Sequence, residues 1–419
     1  MASVLMLSWE YPPVVVGGLG RHVHALATSL AQIGHQVTVV TRHAPGAPLE
    51  EFSQGVRIVR APEDPPLFPL STPTLLAWTM AFNHTLTRAA LRAAETYTFD
   101  VVHAHDWLVT HTAVTLAEHL DLPLVATIHA TEAGRHQGWL PDDLNRSIHS
   151  VEYWLGKRAG KVLVCSEYMK WEVSRLLELP DDKVDVIPNG VDSKAWRATA
   201  TAVRKARERF EAKGPLVGFA GRLVYEKGVQ DLVDAVPQLR AEHPGLKVVI
   251  AGDGPYKEEL QEAVRRHRIT STVAFTGFLS ERELPAMLAA TSATVVPSLY
   301  EPFGMVALEA ASAGAPLAVA STGGLAEIVE PGVTGMTFPH SDPGALADAV
   351  GTLLAEPKLA KEMTKRASAM IAERYGWQGI AEKVVAAYGE AIRAEPAHRA
   401  ARLGEPREPI VVPDGNLLR

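Results

Sequence analysis

From residue 4 to residue 192 short apolar runs alternate with stretches of helical period, and the alternation restarts at residue 216. The runs at 4–7, 36–40, 56–59, 101–103, 124–128 and 161–165 are bounded by polar or Gly/Pro turns, the pattern of parallel strands buried on both faces. A second set follows at 216–220, 246–251, 272–276, 294–297 and 316–320. Between the sets lies the turn cluster Ile187-Pro-Asn-Gly-Val-Asp192, then a charged helical segment over 203–213. The pattern predicts two doubly wound α/β domains, 1–193 and 194–376. Ligands of such sheets bind beyond the carboxyl ends of the strands, so the expected site is a cleft across which the domains face each other. Helical periodicity continues over 345–355, 357–374 and 377–394, and 377–395 is set apart as a C-terminal helix. The remainder, 396–419, is rich in Pro, Arg and Gly, and it is expected to be mobile or loosely docked beyond about residue 398.

Composition narrows the class without naming a substrate. The chain has 419 residues, 47% of them hydrophobic, enough for two large cores. A net charge of -7 and a pI near 6.2 give no reason to expect a nucleic-acid partner, so an anionic substrate needs local Arg or Lys. The single cysteine, Cys165, excludes an intramolecular disulfide and fits a reducing cytoplasm, where it reads as a buried strand residue. The N-terminus lacks a basic n-region, and no apolar run is long enough to span a bilayer. Peripheral contact with anionic lipid stays open through Arg135, Arg146, Lys157 and Arg158, although a solvated face explains them as well.

The chemistry concentrates at predicted strand ends. In Ser298-Leu-Tyr-Glu301-Pro-Phe-Gly304-Met-Val-Ala-Leu-Glu309 a strand gives way to a helix over Met305–Ala313, leaving the N–H groups of Gly304, Met305 and Val306 facing any phosphate near the helix start. Glu309 falls about 7 Å further along the axis, comparable with the span from a diphosphate to a ribose diol. Glu301 precedes the helix, and an ionised carboxylate is an acceptor suited to sugar hydroxyls. A surface turn with both carboxylates in solvent is the plain alternative. Gly221-Arg222-Leu-Val-Tyr-Glu-Lys227-Gly228 places two cations at the mouth of another strand. At 4 Å and an effective dielectric of about 20, each stabilises a unit negative charge by roughly 4 kcal/mol.

Asp106 and His129 hold the matching positions in the first half. His103-Ala-His105-Asp106 invites a metal reading because His at i and i+2 share a strand face, but no further ligand follows at close spacing, so no metal is expected. Gly17-Gly18-Leu19-Gly20 lets a ligand approach the backbone but is not a dinucleotide fingerprint, which disfavours a dehydrogenase. Gly252-Asp-Gly254-Pro255 reads as a turn with Pro at the first helical position, and Thr322-Gly323-Gly324 as either a phosphate contact or a plain turn. Trp9, Tyr11, Trp107, Trp139 and Trp154 offer faces for an acceptor's sugars, with core packing the alternative.

Together these segments resemble the retaining glycosyltransferases of family 4. The matching pieces run in the family's order to about residue 390: Gly17-Gly18-Leu19-Gly20, His129, Ile187 to Asp192, Gly221-Arg222 with Lys227-Gly228, Gly252 to Pro255, Glu301 to Glu309 and Thr322 to Gly324. The opening Ser8-Trp-Glu-Tyr-Pro-Pro and the triplet His105-Asp106-Trp107 look like glycogen synthase relatives and the actinobacterial α-1,4-glucosyltransferases. The resemblance implies a GT-B fold of two Rossmann-like domains, with the last helix crossing back to the N-terminal one. It implies that Arg222 and Lys227 hold the donor diphosphate, Glu309 the ribose, and Glu301 with the Phe303 to Met305 backbone the transferred hexose. His129 would face the hexose and Asp106 the acceptor. Gly17, Gly18, Val306, Gly277, Phe278, Leu279, Gly323 and Gly324 complete the expected donor contacts. Val16 stands where starch synthases of the bacterial type carry Lys, which favours family 4.

The implied reaction moves a hexose, glucose first, from a nucleoside diphosphate sugar to a glucan, with no cofactor. The acceptor hydroxyl enters from the face the diphosphate leaves, losing its proton to the departing phosphate. UDP-glucose and ADP-glucose both stay open, as do another hexose such as mannose on a lipid or small acceptor, a sugar-nucleotide epimerase, and the oligomeric state.

Overall fold

A computed structural model describes residues 1–63 and 69–404 of the chain. They form two compact units: Met1–Gly190 together with the segment from Trp377, and Val191–Gly376. The strands of the first unit are β1 (Ser3–Leu7), β2 (Gln36–Arg42), β3 (Glu50–Ser53), β4 (Val56–Ala61), β5 (Val101–His105), β6 (Leu124–Ile128), β7 (Lys161–Val164) and β8 (Val184–Val186). They make one sheet in the order β3-β4-β2-β1-β5-β6-β7-β8. Only β3 runs antiparallel, in a hairpin with β4, and every other pair is parallel.

The second unit holds β9 (Leu216–Ala220), β10 (Lys247–Ala251), β11 (Val273–Gly277), β12 (Ala293–Val296), β13 (Leu317–Ala320) and β14 (Met336–Phe338). Its six strands are all parallel, in the order β11-β10-β9-β12-β13-β14. Central strands such as β9 and β13 are buried along their whole length, because helices cover both faces of a parallel sheet.

Three strands escaped the sequence reading, and all three lie at sheet edges. β3 is Glu-Glu-Phe-Ser and largely exposed, while β8 and β14 are only three residues long. An edge strand is not buried on both faces, so it shows no continuous apolar run. Other boundaries shift as well. The segment expected over 203–213 is the helix Ala200–Arg209, capped by the Thr199 hydroxyl, which accepts from the Ala202 N–H. Pro255 is not at the first helical position, since the helix Lys257–Arg266 starts after a Tyr256 cap. Cys165 is buried just beyond the end of β7.

The last helix runs over Trp377–Gly404, past the break expected at 395, so residues 396–404 continue it; the rest of the expected tail, 405–419, lies outside the described residues. Its apolar side enters the core of the first unit, where Ala381, Val384, Ala387, Tyr388 and Ala391 pack with Val4, Met6, Val23, Leu26 and Leu30. The entry point is tight. A Cβ on Gly190 would sit 2.6 Å from the Trp377 ring, a separation that atoms do not tolerate.

One polar contact ties this helix to the sheet interior. The hydroxyl of the buried Tyr388 lies 2.7 Å from Nδ1 of His103, whose Nε2 lies 2.7 Å from the Thr127 hydroxyl. Removing the hydroxyl strands a buried ring nitrogen, so Tyr388→Phe is expected to cost about 1–3 kcal/mol. The measurement is the urea midpoint at unchanged slope; a midpoint equal to wild type would remove this contact from the account.

Candidate functional site

In each sheet the chain reverses its direction of strand addition once, and there the flanking loops diverge and open a crevice at the carboxyl ends. In the second unit the reversal lies between β9 and β12, paired through Ala293 with Val217 and Thr294 with Gly218. The loop after β9 carries Arg222 and Lys227, and the loop after β12 carries Ser298 and Glu301. The Lys227 ammonium donates to Oε2 of Glu301 at 2.7 Å, and the Ser298 hydroxyl donates to the same oxygen at 3.0 Å. The sequence reading gave these two charges separate tasks, whereas the fold pairs them directly. Arg222 is exposed and has no ion-pair partner among the described residues.

Backbone contacts hold this pairing. The Glu226 carbonyl accepts from the N–H groups of Leu299 and Tyr300 at 2.8 and 3.3 Å, joining the two loops. Gly228 adopts φ +66°, and a Cβ there would fall 1.9 Å from the Pro297 carbonyl oxygen, so only glycine allows the approach. Gly324 donates its N–H to the Glu301 carbonyl at 3.0 Å, as the plain-turn alternative has it, and so shapes the backbone that carries Glu301. Gly323, beside it, has φ +49°.

The helix Met305–Ala313 begins at Gly304 as expected. The N–H groups of Gly304, Met305 and Val306 find no acceptor among the described residues, as the first turn of a helix dictates. Phe303 is buried against Tyr375, and Glu309 is buried within the helix, which excludes an exposed helix face. At the end of β11, Gly277 leaves open space around its Cα and Phe278 is 77% exposed. Leu279 beside it is half-buried. A cavity of about 640 Å³ also opens in this unit, but Pro215, Ser292 and Pro316 place it at the amino ends of the strands, away from every residue above.

In the first unit the reversal lies between β1 and β5. The loop after β1 leads into the helix Gly18–Gln32, and its anion position is already filled. Oε2 of Glu10 accepts from the N–H groups of Val16 and Gly17 at 2.7 and 3.0 Å, so these two donors of the glycine loop are bonded within it. Burial raises the Glu10 carboxyl above its ordinary range. The opening motif that contains Glu10 gave it no role, because its acceptor role depends on a loop that folds back on it.

Asp106 follows β5 directly, at φ +61°, and its Oδ1 accepts from the His129 N–H at 2.8 Å. Burial pushes Asp106 up to about 6, with that N–H and Arg135 acting in the opposite sense. His129 follows β6, and burial pushes its imidazole down to about 4, so it is neutral near pH 7. A second polar layer lies beyond it: both Glu152 oxygens accept from the Glu132 N–H at 2.9 and 3.2 Å, and the Asn145 amide donates to Glu132.

Of the five aromatics singled out, Trp139 is half exposed, Trp107 is half-buried, Tyr11 is buried, and Trp9 and Trp154 meet Trp78 and His111 edge-on. The basic residues offered for lipid are engaged within the unit. Arg146 pairs with Asp143, Arg158 with Glu118, and Lys157 donates to the Glu178 carbonyl. No helix among the described residues is long and apolar enough to cross a membrane.

Known proteins share this fold. The family described as Glycosyltransferase Family 4 matches residues 16–195, and the one described as glycosyl transferases group 1 matches residues 202–370. The glycogen synthase of Mycobacterium tuberculosis is 42% identical, over 97% of this chain and 98% of its own length. Among solved structures, the sucrose-phosphate synthase of Thermosynechococcus elongatus superposes with a TM-score of 0.81 at 24% identity, covering 94% of this chain and all of that one. The catalytic domain of starch synthase IV from Arabidopsis thaliana, bound to ADP and acarbose, gives 0.74 at 18%, covering 94% and 99%. Fold, strand-end residues and whole-length identity agree: the chain is a glycosyltransferase of the GT-B fold and belongs to family 4.

Proposed function

We propose that this glycosyltransferase moves glucose from a nucleoside diphosphate glucose to the end of an α-1,4-glucan, with retention of anomeric configuration. The observation that carries the reading is the Lys227–Glu301 pair, set beside the free N–H groups that open the helix Met305–Ala313. A cation and a helix start meet a diphosphate, and an adjoining carboxylate meets the hydroxyls of the sugar attached to it. The name of the mycobacterial relative and the ADP and acarbose on the plant starch synthase support a glucan acceptor and a glucose donor. A reducing cytoplasm suits the single buried thiol.

In this reading Arg222 and Lys227 take the charge that grows on the departing diphosphate, so the step asks for no divalent ion there. Lys227 turns part of its bonding from Glu301 to phosphate, and Glu301 then accepts from the hexose hydroxyls with the Phe303 to Met305 backbone beside it. Glu309 serves the ribose, and Phe278, with Gly277 and Leu279, the base. In the first unit, His129 acts as a neutral donor to the hexose, and Asp106 orients the acceptor hydroxyl and fixes His129 through its backbone. Gly17 and Gly18 contribute loop shape, with Glu10 holding it.

Lys227→Ala is expected to lower kcat roughly 100- to 1000-fold with an unchanged circular dichroism spectrum, the usual loss for one transition-state donor. Wild-type turnover in that variant would sink the assignment. If base–aromatic stacking at Phe278 contributes the usual ~1–3 kcal/mol, Phe278→Ala raises the donor KM about 5- to 140-fold and spares kcat. Transfer itself is tested with UDP-, ADP- and GDP-sugars against maltooligosaccharides and inositol phosphate, read by product mass and anomeric configuration. Chain growth with an α linkage supports the reading; a β linkage, or an isomerised sugar formed without acceptor, rejects it.

A further inference from the structure

Three histidines distant in sequence converge inside the first unit. His22 comes from the helix Gly18–Gln32, His105 is the last residue of β5, and His129 follows β6. One ring nitrogen of each lies within 4.8 Å of the other two. Nδ1 of His105 and Nε2 of His129 are 3.2 Å apart. Two nitrogens bound to one tetrahedral ion at 2.0–2.1 Å are separated by about 3.3 Å, so this pair is already at ligand spacing. The His22 ring stands edge-on to His129 with centroids 4.6 Å apart.

The hydrogen-bond inventory separates this trio from the neighbouring His103. Both nitrogens of His103 are satisfied, by Tyr388 and Thr127. Neither nitrogen of His22 has a hydrogen-bond partner, nor has Nε2 of His105, and all three atoms are buried. Asn189 influences the His22 ring without completing a hydrogen bond to it. Buried nitrogens left open on rings that converge mark a place made for a ligand. All three imidazoles are held neutral, chiefly by burial, which is the state in which a histidine binds a metal. The neighbourhood selects the ion class: imidazoles without a thiolate suit zinc, copper or nickel, and not the oxygen-seeking magnesium or calcium.

We propose that His22, His105 and His129 form a binding site for one divalent transition-metal ion of the zinc class, with a fourth position open where His129 reaches the surface. The ion replaces the His105–His129 hydrogen bond, and the proton in that bond moves to the other nitrogen of its own ring, so none is lost. The site belongs to the first unit and does not depend on the sugar-transfer role given to His129. The sequence reading dismissed a metal because no third ligand followed His103 and His105; the fold supplies two from other elements.

The test titrates the metal-free full chain with cobalt(II) and follows the visible absorption of a four-coordinate complex, then displaces cobalt with zinc. The expected result is one ion per chain, with affinity at least about tenfold lower in His22→Asn and His105→Asn and unchanged in the surface variants His84→Asn and His340→Asn. X-ray absorption of the wild-type zinc complex, showing three imidazole nitrogens at about 2.0–2.1 Å, keeps the test independent of how the variants fold. Absence of a four-coordinate band, zinc with fewer than three imidazoles, or binding that survives His22→Asn unchanged would overturn the proposal.

Discussion

The candidate site of the second unit depends on one constraint, the joining of the loops that leave β9 and β12. The Glu226 carbonyl receives two N–H groups from the β12 loop, and Gly228 lies so close to Pro297 that no side chain fits between them. These contacts fix two backbones, so the Lys227 ammonium and the Glu301 carboxylate meet at 2.7 Å with only a short side-chain reach left to chance. Thr322 and Gly324 extend the same arrangement to the loop after β13, through the Leu299 carbonyl at 3.2 Å and the Glu301 carbonyl at 3.0 Å. The site is therefore preorganised mainly by main-chain hydrogen bonds, which a flexible lysine alone would not provide.

The first unit handles polarity by the opposite means. Its strand ends gather titratable groups in which burial disfavours charge: His103 and His129 are pushed down to about 3 and 4, which keeps them neutral near pH 7, and Asp106 is raised to about 6. Glu10, also raised by burial, supplies its loop with an internal hydrogen-bond acceptor. The second unit instead sets an ion pair, Lys227 with Glu301, and an exposed Arg222 at its strand ends.

Most of the fold was legible because parallel strands buried on both faces must be apolar throughout, and all eleven predicted runs match observed strands, two of them without change and nine with small boundary changes. The edge strands β3, β8 and β14 were not legible, since short or exposed strands carry no such run. The helix Met305–Ala313 and its glycine start were readable from Gly304 onward, because a left-handed cap followed by helix-forming residues is a local signal. The extension of the last helix to Gly404 was not, as Pro396 and scattered charges hide its period.

The sequence by itself determined the two α/β sheets, the strand ends where chemistry collects, and the residue types Arg222, Lys227, Glu301, Asp106 and His129 at those ends. These follow from local patterns, in which burial and turn chemistry are written residue by residue. Tertiary structure alone decided that Lys227 is bonded to Glu301, that Glu10 occupies the glycine loop, that Gly324 supports Glu301, and that His22 joins His105 and His129. Each of these joins residues on different elements, and the separation between them depends on how strands are ordered and loops are closed, which no periodicity along the chain records.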